Sequence, residues 1–555
     1  MRGTFISLLV TSLVVALSPV ARTQPETMSI VHVPVADLSE AAYLFEHFDE
    51  THDHGPGYVE LLLWPGDEAE LEAAGFDHEV VVADVLEEDR GALPAPAVTV
   101  ELPGPDRSDY RRLADYNTEM RSLARKHRGL VRVLQLPHQT TEGRRVLGLE
   151  IAKNVRRTDG RPTFHIDGVH HAREWPAGEF PMIFAHHLVE RFGKDRRVTG
   201  LLKRVRVTIV PIVNPDGFDY SRESPVQASG LASTGLSSLG LESYWRKNRR
   251  SITGVTVPVA QRNPDAYGVD PNRNYGFMWG DDGGGSSSDR TSQTHRGDEP
   301  FSEPESRNIR HLVLHRAVTG LLTNHTYGDL VLRPWGHTYD DAPDERLLRH
   351  IGARMAAAMG GYQNQKGIGL YATTGTTDDW SYAATGGLGY TIEHGDAFHP
   401  PYAEGVGARW QGVMEAYTIM GEAAASPSTH GIVRGRVLSP NGRPVRARVF
   451  VRKTLRTPLG DGNPTGRRSI REVILIRTET DGRGRFTLHL NPSTRPLVEM
   501  AGGSEAYALS FGTRGGCDGR RVKVARGERL NLGDIELERC TFHAEVDVVQ
   551  ELPGR

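Results

Sequence analysis

A histidine and a glutamate three residues apart could together bind a metal ion. His171 and Glu174 follow an apolar segment that ends at Asp167, and a helical pattern begins at Trp175. Side chains at positions i and i+3 project to the same side of a helical turn. With a third protein ligand and a water molecule, they would complete an open catalytic zinc site. The chain has 23 histidines, so chance matches are common and the pair alone is more simply interpreted as a charge pair at a helix start.

Five further motifs accompany this pair along the chain. The pair itself lies in 168–175 (GVHHAREW). The other segments are 244–247 (YWRK), 270–274 (DPNRN), 325–327 (HTY), Tyr371 with 375–380 (GTTDDW), and 390–393 (YTIE). In types and in order, the six segments resemble the zinc carboxypeptidases of the pancreatic A and B type, over about residues 110–424.

The resemblance implies one zinc ion per chain, bound by His171, Glu174 and His325. His170 lies beside the first motif, but the register against the following Ala-Arg-Glu-Trp selects His171. Zinc in such a centre lowers the pKa of a bound water towards ~7. The family pattern also implies that Asp270 hydrogen-bonds His171 from behind the metal.

Two charged residues are expected to act on the scissile bond. The resemblance implies that Glu393 is the general base and that Arg246 stabilises the oxyanion of the intermediate. The apolar run 388–392 favours a buried Glu393 over a surface carboxylate before the next turn. Arg246 belongs to the basic run 246–250, a composition that is also typical of a solvated face.

An exopeptidase must bind a free carboxylate. Arg273 offers a planar fork that can bind one bidentately, and Asn272 adds an amide donor. The resemblance implies three more substrate contacts, from Arg173, Tyr327 and Tyr371. Because a loop rich in Gly and Thr follows Tyr371, this side chain could close over the bound residue.

Asp378 bears on specificity. In the family pattern this position is aliphatic in enzymes that prefer apolar C-terminal residues and acidic in those that release Lys or Arg. A buried carboxylate requires a cationic partner, and a substrate Lys or Arg would provide it. We therefore expect basic C-terminal residues to be accepted, with apolar ones as a second class. Pairing of Asp378 with a local donor would instead leave the pocket neutral.

Apolar strands interleaved with helices must position these residues. Strands are predicted at 146–152, 161–167, 204–213 and 320–325, and helices at 175–192 and 303–318. This alternation indicates an α/β fold with a mixed, mostly parallel central sheet flanked by helices. We assign it to a catalytic domain over 110–424.

The flanking segments follow other patterns. Residues 24–90 read as β-α-β-α-β, a small α+β module that resembles a pro-segment, and 91–109 form a linker rich in Pro, Gly and Ala. From 430 to 555, short strands between turns predict a β-sandwich similar to a transthyretin-like domain. Cys517 and Cys540 there are compatible with a disulfide or with two free thiols.

Residues 1–23 predict export. Arg2 precedes the apolar run 5–17, which ends in small residues, as in a secretory signal peptide. The run is shorter than the ~20 residues of a spanning helix. We expect a secreted protein, extracellular or periplasmic, without membrane insertion. The net charge of −4 over 555 residues gives no reason to expect a nucleic-acid partner. No oligomeric state is predicted.

These expectations combine into a secreted zinc metallocarboxypeptidase, made as a zymogen, whose substrates are peptide or protein C-termini. One alternative is a zinc amidohydrolase of the same fold that acts on cell-wall or other non-standard amides. The clamp of Asn272, Arg273 and Tyr371 favours the carboxypeptidase. A second alternative is an inactive homologue that only binds; the presence of all three ligands and of Glu393 argues against it.

A further interpretation places a separate metal site at His47, His52, Asp53 and His54. Polar clusters in loops are usually just solvated, which disfavours this interpretation.

Overall fold

The computed structural model describes residues 27–51, 57–91, 101–229, 240–250, 268–493 and 505–539. The predicted signal peptide (1–23), three members of the proposed second metal cluster (52–54) and Cys540 lie outside these ranges. An eight-stranded sheet forms the middle of the chain, a four-stranded sheet precedes it, and two smaller sheets follow. None of the helices in the described ranges combines the length and the apolarity that a bilayer crossing requires.

The N-terminal module (27–91) is an antiparallel sheet with helices. Its elements are β1 (Ser29–Pro34), α1 (Leu38–His47), β2 (Asp49–Glu50), β3 (Tyr58–Leu63), α2 (Asp67–Ala73), β4 (Glu79–Val82) and α3 (Val85–Gly91). The sheet order is β2-β3-β1-β4. Val31, Leu44 and Leu61 belong to a core of its own. The predicted β-α-β-α-β pattern is present, and the structure adds the short β2 and the helix α3.

The central domain (101–429) contains the large sheet. Its elements are α4 (Leu113–Lys126), β5 (Val131–Gln139), β6 (Arg145–Ile151), β7 (Thr163–Gly168), α5 (Trp175–Arg191), α6 (Arg196–Arg204), β8 (Arg206–Val210), α7 (Pro215–Ser229), α8 (Pro304–His315), β9 (Val318–His325), β10 (Leu330–Arg333), α9 (Glu345–Met359), β11 (Gln363–Lys366), α10 (Thr377–Thr385), β12 (Leu388–Glu393) and α11 (Trp410–Ala425). The order is β11-β10-β12-β9-β7-β8-β6-β5, with parallel pairing at the centre. The predicted α/β fold class is confirmed.

Most predicted elements are shifted by one or two residues at an end, and two differ by three. The expected strand 204–213 starts only at Arg206, because Asp195 caps a preceding amphipathic helix, α6, that buries Val198 and Leu201. The expected helix 303–318 ends at His315 as α8, because Val318 already opens the buried strand β9. Both errors arise at junctions where one apolar pattern passes into the next.

The C-terminal domain (430–539) consists of two packed sheets. Its strands are β13 (Gly431–Leu438), β14 (Arg448–Pro458), β15 (Ser469–Glu479), β16 (Arg485–Leu490), β17 (Tyr507–Thr513), β18 (Gly516–Val522) and β19 (Arg529–Glu536). The sheets have the orders β16-β13-β19 and β15-β14-β17-β18. Cys517 is disulfide-bonded, and Cys540, the other cysteine of the chain, is outside the described residues.

Buried hydrogen bonds join this domain to the central one. Glu472 on β15 is almost fully buried and accepts from Nε of Arg310 (2.8 Å) and from the indole of Trp380 (3.1 Å). Asn491 donates to the carbonyl of Val318 at 2.8 Å. Trp380 lies in α10, two residues after Asp378, which the sequence analysis assigns to specificity. The C-terminal domain therefore supports the helix that carries Asp378.

Candidate active site

Three predicted ligands converge at the centre of the large sheet. His171 and Glu174 lie in the turn between β7 and α5, and His325 is the last residue of β9. Their ligand atoms all lie within 4.8 Å of one another, and all three residues are buried. Nδ1 of His325 is 2.9 Å from Oε2 of Glu174 and 3.2 Å from Nδ1 of His171. Two imidazoles and one carboxylate are the donor set of an open zinc site, so these residues could hold the metal.

The backbone before α5 explains how the pair is presented. Val169 has a positive φ of 54°, and the amide of Glu174 bonds back to the carbonyl of His171 at 3.3 Å. The expected helix 175–192 begins at Trp175 as α5, so both ligands lie in the turn before it. The i, i+3 spacing still brings the side chains together, with 2.6 Å between Nδ1 of His171 and Oε1 of Glu174.

Asp270 orients the first histidine. Its Oδ1 lies 3.2 Å from Nε2 of His171, while its Oδ2 accepts from Nε and Nη2 of Arg246 at 3.2 and 3.0 Å. Burial favours the neutral acid, but the charges of His171, Arg246 and Arg273 hold the pKa of Asp270 well below its ordinary value. A carboxylate on Nε2 leaves Nδ1 of His171 available for a metal. Burial, followed by Arg246, lowers the pKa of His171 to about 4.

Glu393 ends the strand next to the third ligand. It is the last residue of β12, directly opposite His325 in the parallel pairing with β9. Burial raises the pKa of its carboxyl to about 7. A group that titrates near neutrality can both accept and return a proton in that pH range.

Three arginines of the predicted site contact carboxylates of the N-terminal module. Arg173 binds Asp49 bidentately, at 2.5 and 2.8 Å. Nη2 of Arg246 and Nη2 of Arg273 both face Oε1 of Glu50, at 3.3 and 3.6 Å. Both acids lie on the short strand β2 and are fully buried. The module thus places carboxylates against two arginines that were expected to bind the substrate and against the one expected to stabilise the oxyanion.

The two predicted tyrosines also contact the module. The hydroxyl of Tyr327 donates to Glu60 at 3.0 Å, and the ring of Tyr371 packs against Phe45 at 5.2 Å between centroids. Nη2 of Arg273 donates to the hydroxyl of Tyr371 at 3.4 Å. In this arrangement Tyr371 is buried rather than exposed in a loop.

Asn272 is engaged within the central domain. Its side-chain carbonyl accepts from the amide and the hydroxyl of Thr377 at 3.0 and 2.8 Å. Its Nδ2 lies 3.4 Å from Nε2 of His325. This residue therefore connects the third ligand with the start of α10.

Asp378 shares one cavity with the metal ligands. That cavity is lined by His171, His325, Arg273 and Glu393 as well as by Asp378, and it holds about 30 Å³, close to the volume of one water. Burial, followed by the neighbouring Asp379, raises the pKa of Asp378 to about 7. Among the described residues no lysine or arginine pairs with Asp378, although the side chain of Thr376 and the backbone amide of Asp379 donate to its carboxyl and lower its pKa.

Sequence reasoning did not identify the module's own site residues. Asp49, Glu50 and Glu60 contact the site, and Asp89 in α3 accepts from the hydroxyl of Tyr244. A compositional signal existed, since residues 24–90 contain eighteen acidic residues and one basic residue, Arg90. A segment of such charge fits a surface lined with arginines.

Comparison with known proteins identifies a matching protein family. The model of the zinc carboxypeptidase family matches residues 116–415. Carboxypeptidase A1 of Rattus norvegicus is 28% identical over 334 residues, covering 58% of this chain and 72% of the relative. Carboxypeptidase B of Astacus astacus is 31% identical over 298 residues, covering 52% and 87%.

Two further comparisons concern activity and fold. An inactive metallocarboxypeptidase, ECM14, of Arthroderma otae is 29% identical over 231 residues, covering 40% of this chain and 34% of that protein. The crystal structure of the carboxypeptidase A from Helicoverpa armigera is 23% identical and has a TM-score of 0.56, covering 72% of this chain and 98% of its own. At that identity the structural likeness concerns the fold.

Proposed function

The chain belongs to the zinc carboxypeptidase family, and from that premise we propose that it removes single residues from the C-termini of peptides. The observation that carries the proposal is one small cavity shared by two metal-ligand histidines, the carboxyl of Glu393 and the guanidinium of Arg273. A hydrolytic centre beside a carboxylate-binding arginine fits cleavage at a chain end better than cleavage within a chain.

We assign one zinc ion to His171, Glu174 and His325, where the metal would supply activation of a water molecule. Glu393 takes up the proton released from the nucleophile and returns it to the leaving amine. Arg246 offsets the charge that develops on the scissile carbonyl oxygen. Asp270 keeps Arg246 and His171 in place through its two oxygens.

Arg273 and Asn272 are assigned to the terminal carboxylate, Arg173 and Tyr327 to the preceding residues, and Tyr371 to the closing of the site. Asp378 is assigned to a basic C-terminal side chain. Its buried carboxyl without a cationic neighbour supports this assignment, because a substrate Lys or Arg would supply the missing charge. Apolar side chains are expected as the second class of substrate.

The N-terminal module is assigned the role of a pro-segment in an exported protein. Asp49 and Glu50 occupy the arginines that a substrate would need. The expected signal peptide (1–23) would direct the chain out of the cytoplasm, and the disulfide-bonded Cys517 is compatible with an oxidising compartment.

Two alternative functions lead to different results. A zinc amidohydrolase of the same fold would prefer non-standard amides and would not require Arg273. An inactive homologue, as the ECM14 match illustrates, would bind without turnover; the ligand set and Glu393 favour an active enzyme.

The decisive experiment follows end products from a mixed peptide panel, with and without a chelator, after the linker has been cut. We expect release of single residues that stops with the chelator and returns with zinc. Glu393→Gln should lower kcat by at least about a hundredfold, because removal of a general base costs 10²–10⁴-fold. Internal cleavage, or full activity in chelator, would refute the proposal.

Hydrolysis of hippuryl-Arg and hippuryl-Phe tests the specificity. We expect Arg to be preferred and Asp378→Ala to reverse the ratio; Asp396→Ala, at an exposed carboxylate, is the matched control. An unchanged ratio in Asp378→Ala would show that the pocket is neutral.

A further inference from the structure

The outer face of the larger sheet in the C-terminal domain is rich in arginine. In β14 the odd-numbered residues Val449, Val451 and Leu455 are fully buried, so the even-numbered ones point outwards. Residues directly opposite one another in antiparallel strands share a face. By register, this face carries six arginines, Arg448, Arg452, Arg456, Arg471, Arg477 and Arg521, which we call the arginine face.

Four of the six arginines on this face are exposed without a carboxylate partner among the described residues. Arg448, Arg456, Arg477 and Arg521 are exposed, and in the described part of the chain none of them forms an ion pair with a carboxylate. At the described positions of these four strands, Glu479 at the rim is the one acidic residue on this side. Such an excess of one sign creates a strong local potential even though the whole chain has a net charge of −4.

Small residues separate the arginine-bearing strands β14 and β18, and we call this part of the face the groove. Arg452 on β14 and Arg521 on β18 flank Ala508 on β17, so the two arginines are two strand spacings, about 10 Å, apart. Ser510 and Gly519 form the next part of the floor and are exposed. A Cβ atom added at Gly519 would meet only the carbonyl oxygen of Leu509, at 3.8 Å. The floor is therefore open and lacks bulky side chains.

We propose that the arginine face binds a linear anionic polysaccharide. Guanidinium groups bind sulfate and carboxylate through two parallel hydrogen bonds. Along β14 the arginines recur every four residues, about 13 Å apart, which suits a polymer with regularly repeated acidic groups. The groove has the width of one extended chain.

Two other polyanions fit this face less well. Single-stranded nucleic acid requires aromatic platforms, but Phe450 is the one aromatic side chain at the described positions of this face, and the guanidinium of Arg477 already lies 5.8 Å from its ring centroid. A membrane surface would need an apolar anchor, and the large exposed apolar residues of the described chain all lie outside this domain.

Binding of the full-length protein to a defined heparin oligosaccharide, with neutral dextran as control, tests the proposal. The variant Arg448→Ala/Arg521→Ala should weaken heparin binding at least about tenfold at 0.1 M salt, since each cation near an anionic surface contributes several-fold. Arg443→Ala/Arg483→Ala removes the same charge from exposed turns outside the face and should change binding less than twofold.

A second variant tests the groove without touching an arginine. Gly519→Glu places a carboxylate in the open floor and should also lower heparin affinity at least about tenfold, while thermal unfolding stays unchanged. Equal losses in the two double variants, or tight binding by Gly519→Glu, would overturn the proposal. So would duplex DNA or anionic phosphatidylglycerol vesicles that bind as tightly as heparin with the same dependence on Arg448 and Arg521.

Discussion

The N-terminal module and the C-terminal domain both pack on the central domain, but through different contacts. The module reaches the candidate site with carboxylates, of which Asp49 and Glu50 meet arginines. The C-terminal domain is joined through a buried carboxylate, Glu472, and through apolar residues that belong to the central core, such as Val433 and Leu488. Composition differs as well: residues 24–90 are strongly acidic, whereas 430–555 have 23 basic and 14 acidic residues.

The difference indicates which partner can leave. When the module leaves, a carboxylate or carbonyl of a substrate can replace the module's carboxylates at Arg173 and Arg246. These arginines then still have a polar partner. The apolar surface under the C-terminal domain has no such replacement, and exposing it to water costs about 25 cal/mol per Å². The module also adds apolar residues to the central core, but only five: Met28, Leu62, Trp64, Val85 and Leu86. We therefore expect the module to dissociate more readily than the C-terminal domain.

Deletion of residues 430–555 should have the largest effect. Because the strands of this domain share a continuous core with the central domain, we expect almost no soluble folded protein. The measurement is the yield of soluble protein with native near-ultraviolet circular dichroism. A chain ending at residue 429 that folds and resists proteolysis like the full chain would break the comparison.

Cutting the linker within 92–100 should instead increase activity. Charge-assisted hydrogen bonds contribute about 1.5–3 kcal/mol each. One or two of them therefore favour the closed over the open site by a factor of about one hundred. We expect about that gain in kcat/KM on a small peptide substrate. Asp49→Asn/Glu50→Gln should give part of the gain without a cut, and Glu68→Gln/Glu70→Gln, on the module's helix α2, should give none. Equal activity before and after the cut would exclude a pro-segment.

Glu472→Ala should reduce stability moderately. It removes the partner of the buried indole of Trp380 and of Arg310, at a cost of about 1–3 kcal/mol in the free energy of unfolding. Glu479→Ala, an exposed carboxylate on the same strand, should change it by less than about 0.5 kcal/mol. Urea unfolding of both variants gives the answer, and equal midpoints would mean that Glu472 does not hold the two domains together.

Mild acid should weaken the C-terminal domain before the module. His430 and His489 touch at 2.6 Å, and burial lowers their pKa values to about 3 and about 4. The unfolded chain takes up protons near pH 6.5, so stability should fall as the pH drops from about 6.5 towards 4, by about 3 kcal/mol or more. His489→Gln should flatten this slope in urea unfolding, and an unchanged slope would contradict the assignment.

The module's contacts should persist to lower pH. Burial disfavours the charged form of Asp49, but Arg173 holds the pKa of Asp49 below the ordinary 3.8. The stabilisation from the ion pair of Asp49 and Arg173 is therefore present above pH 3.8 and is lost as the pH falls below it.

Motifs predicted the candidate site better than the contacts around it. The spacing of His171 and Glu174 and the position of Glu393 at the end of an apolar strand can be read from short segments of sequence. Short segments are therefore enough to identify these residues as candidates. The bond from Asp49 to Arg173 joins residues 124 positions apart and follows no local pattern. The arginine face was concealed because the acidic module cancels it in the net charge. The strand β2 was missed because its two residues are too few to show any periodicity.

The contact between Asp89 and Tyr244 affects how fast activity appears after the linker is cut. Asp89 precedes the linker, so a cleaved module keeps every contact that it had before. What cleavage removes is the tether, and with it the high effective concentration that returns the module after each opening. Activity should then appear with a lag after cleavage. The lag should shorten on dilution, and activity should fall again when isolated module is added back.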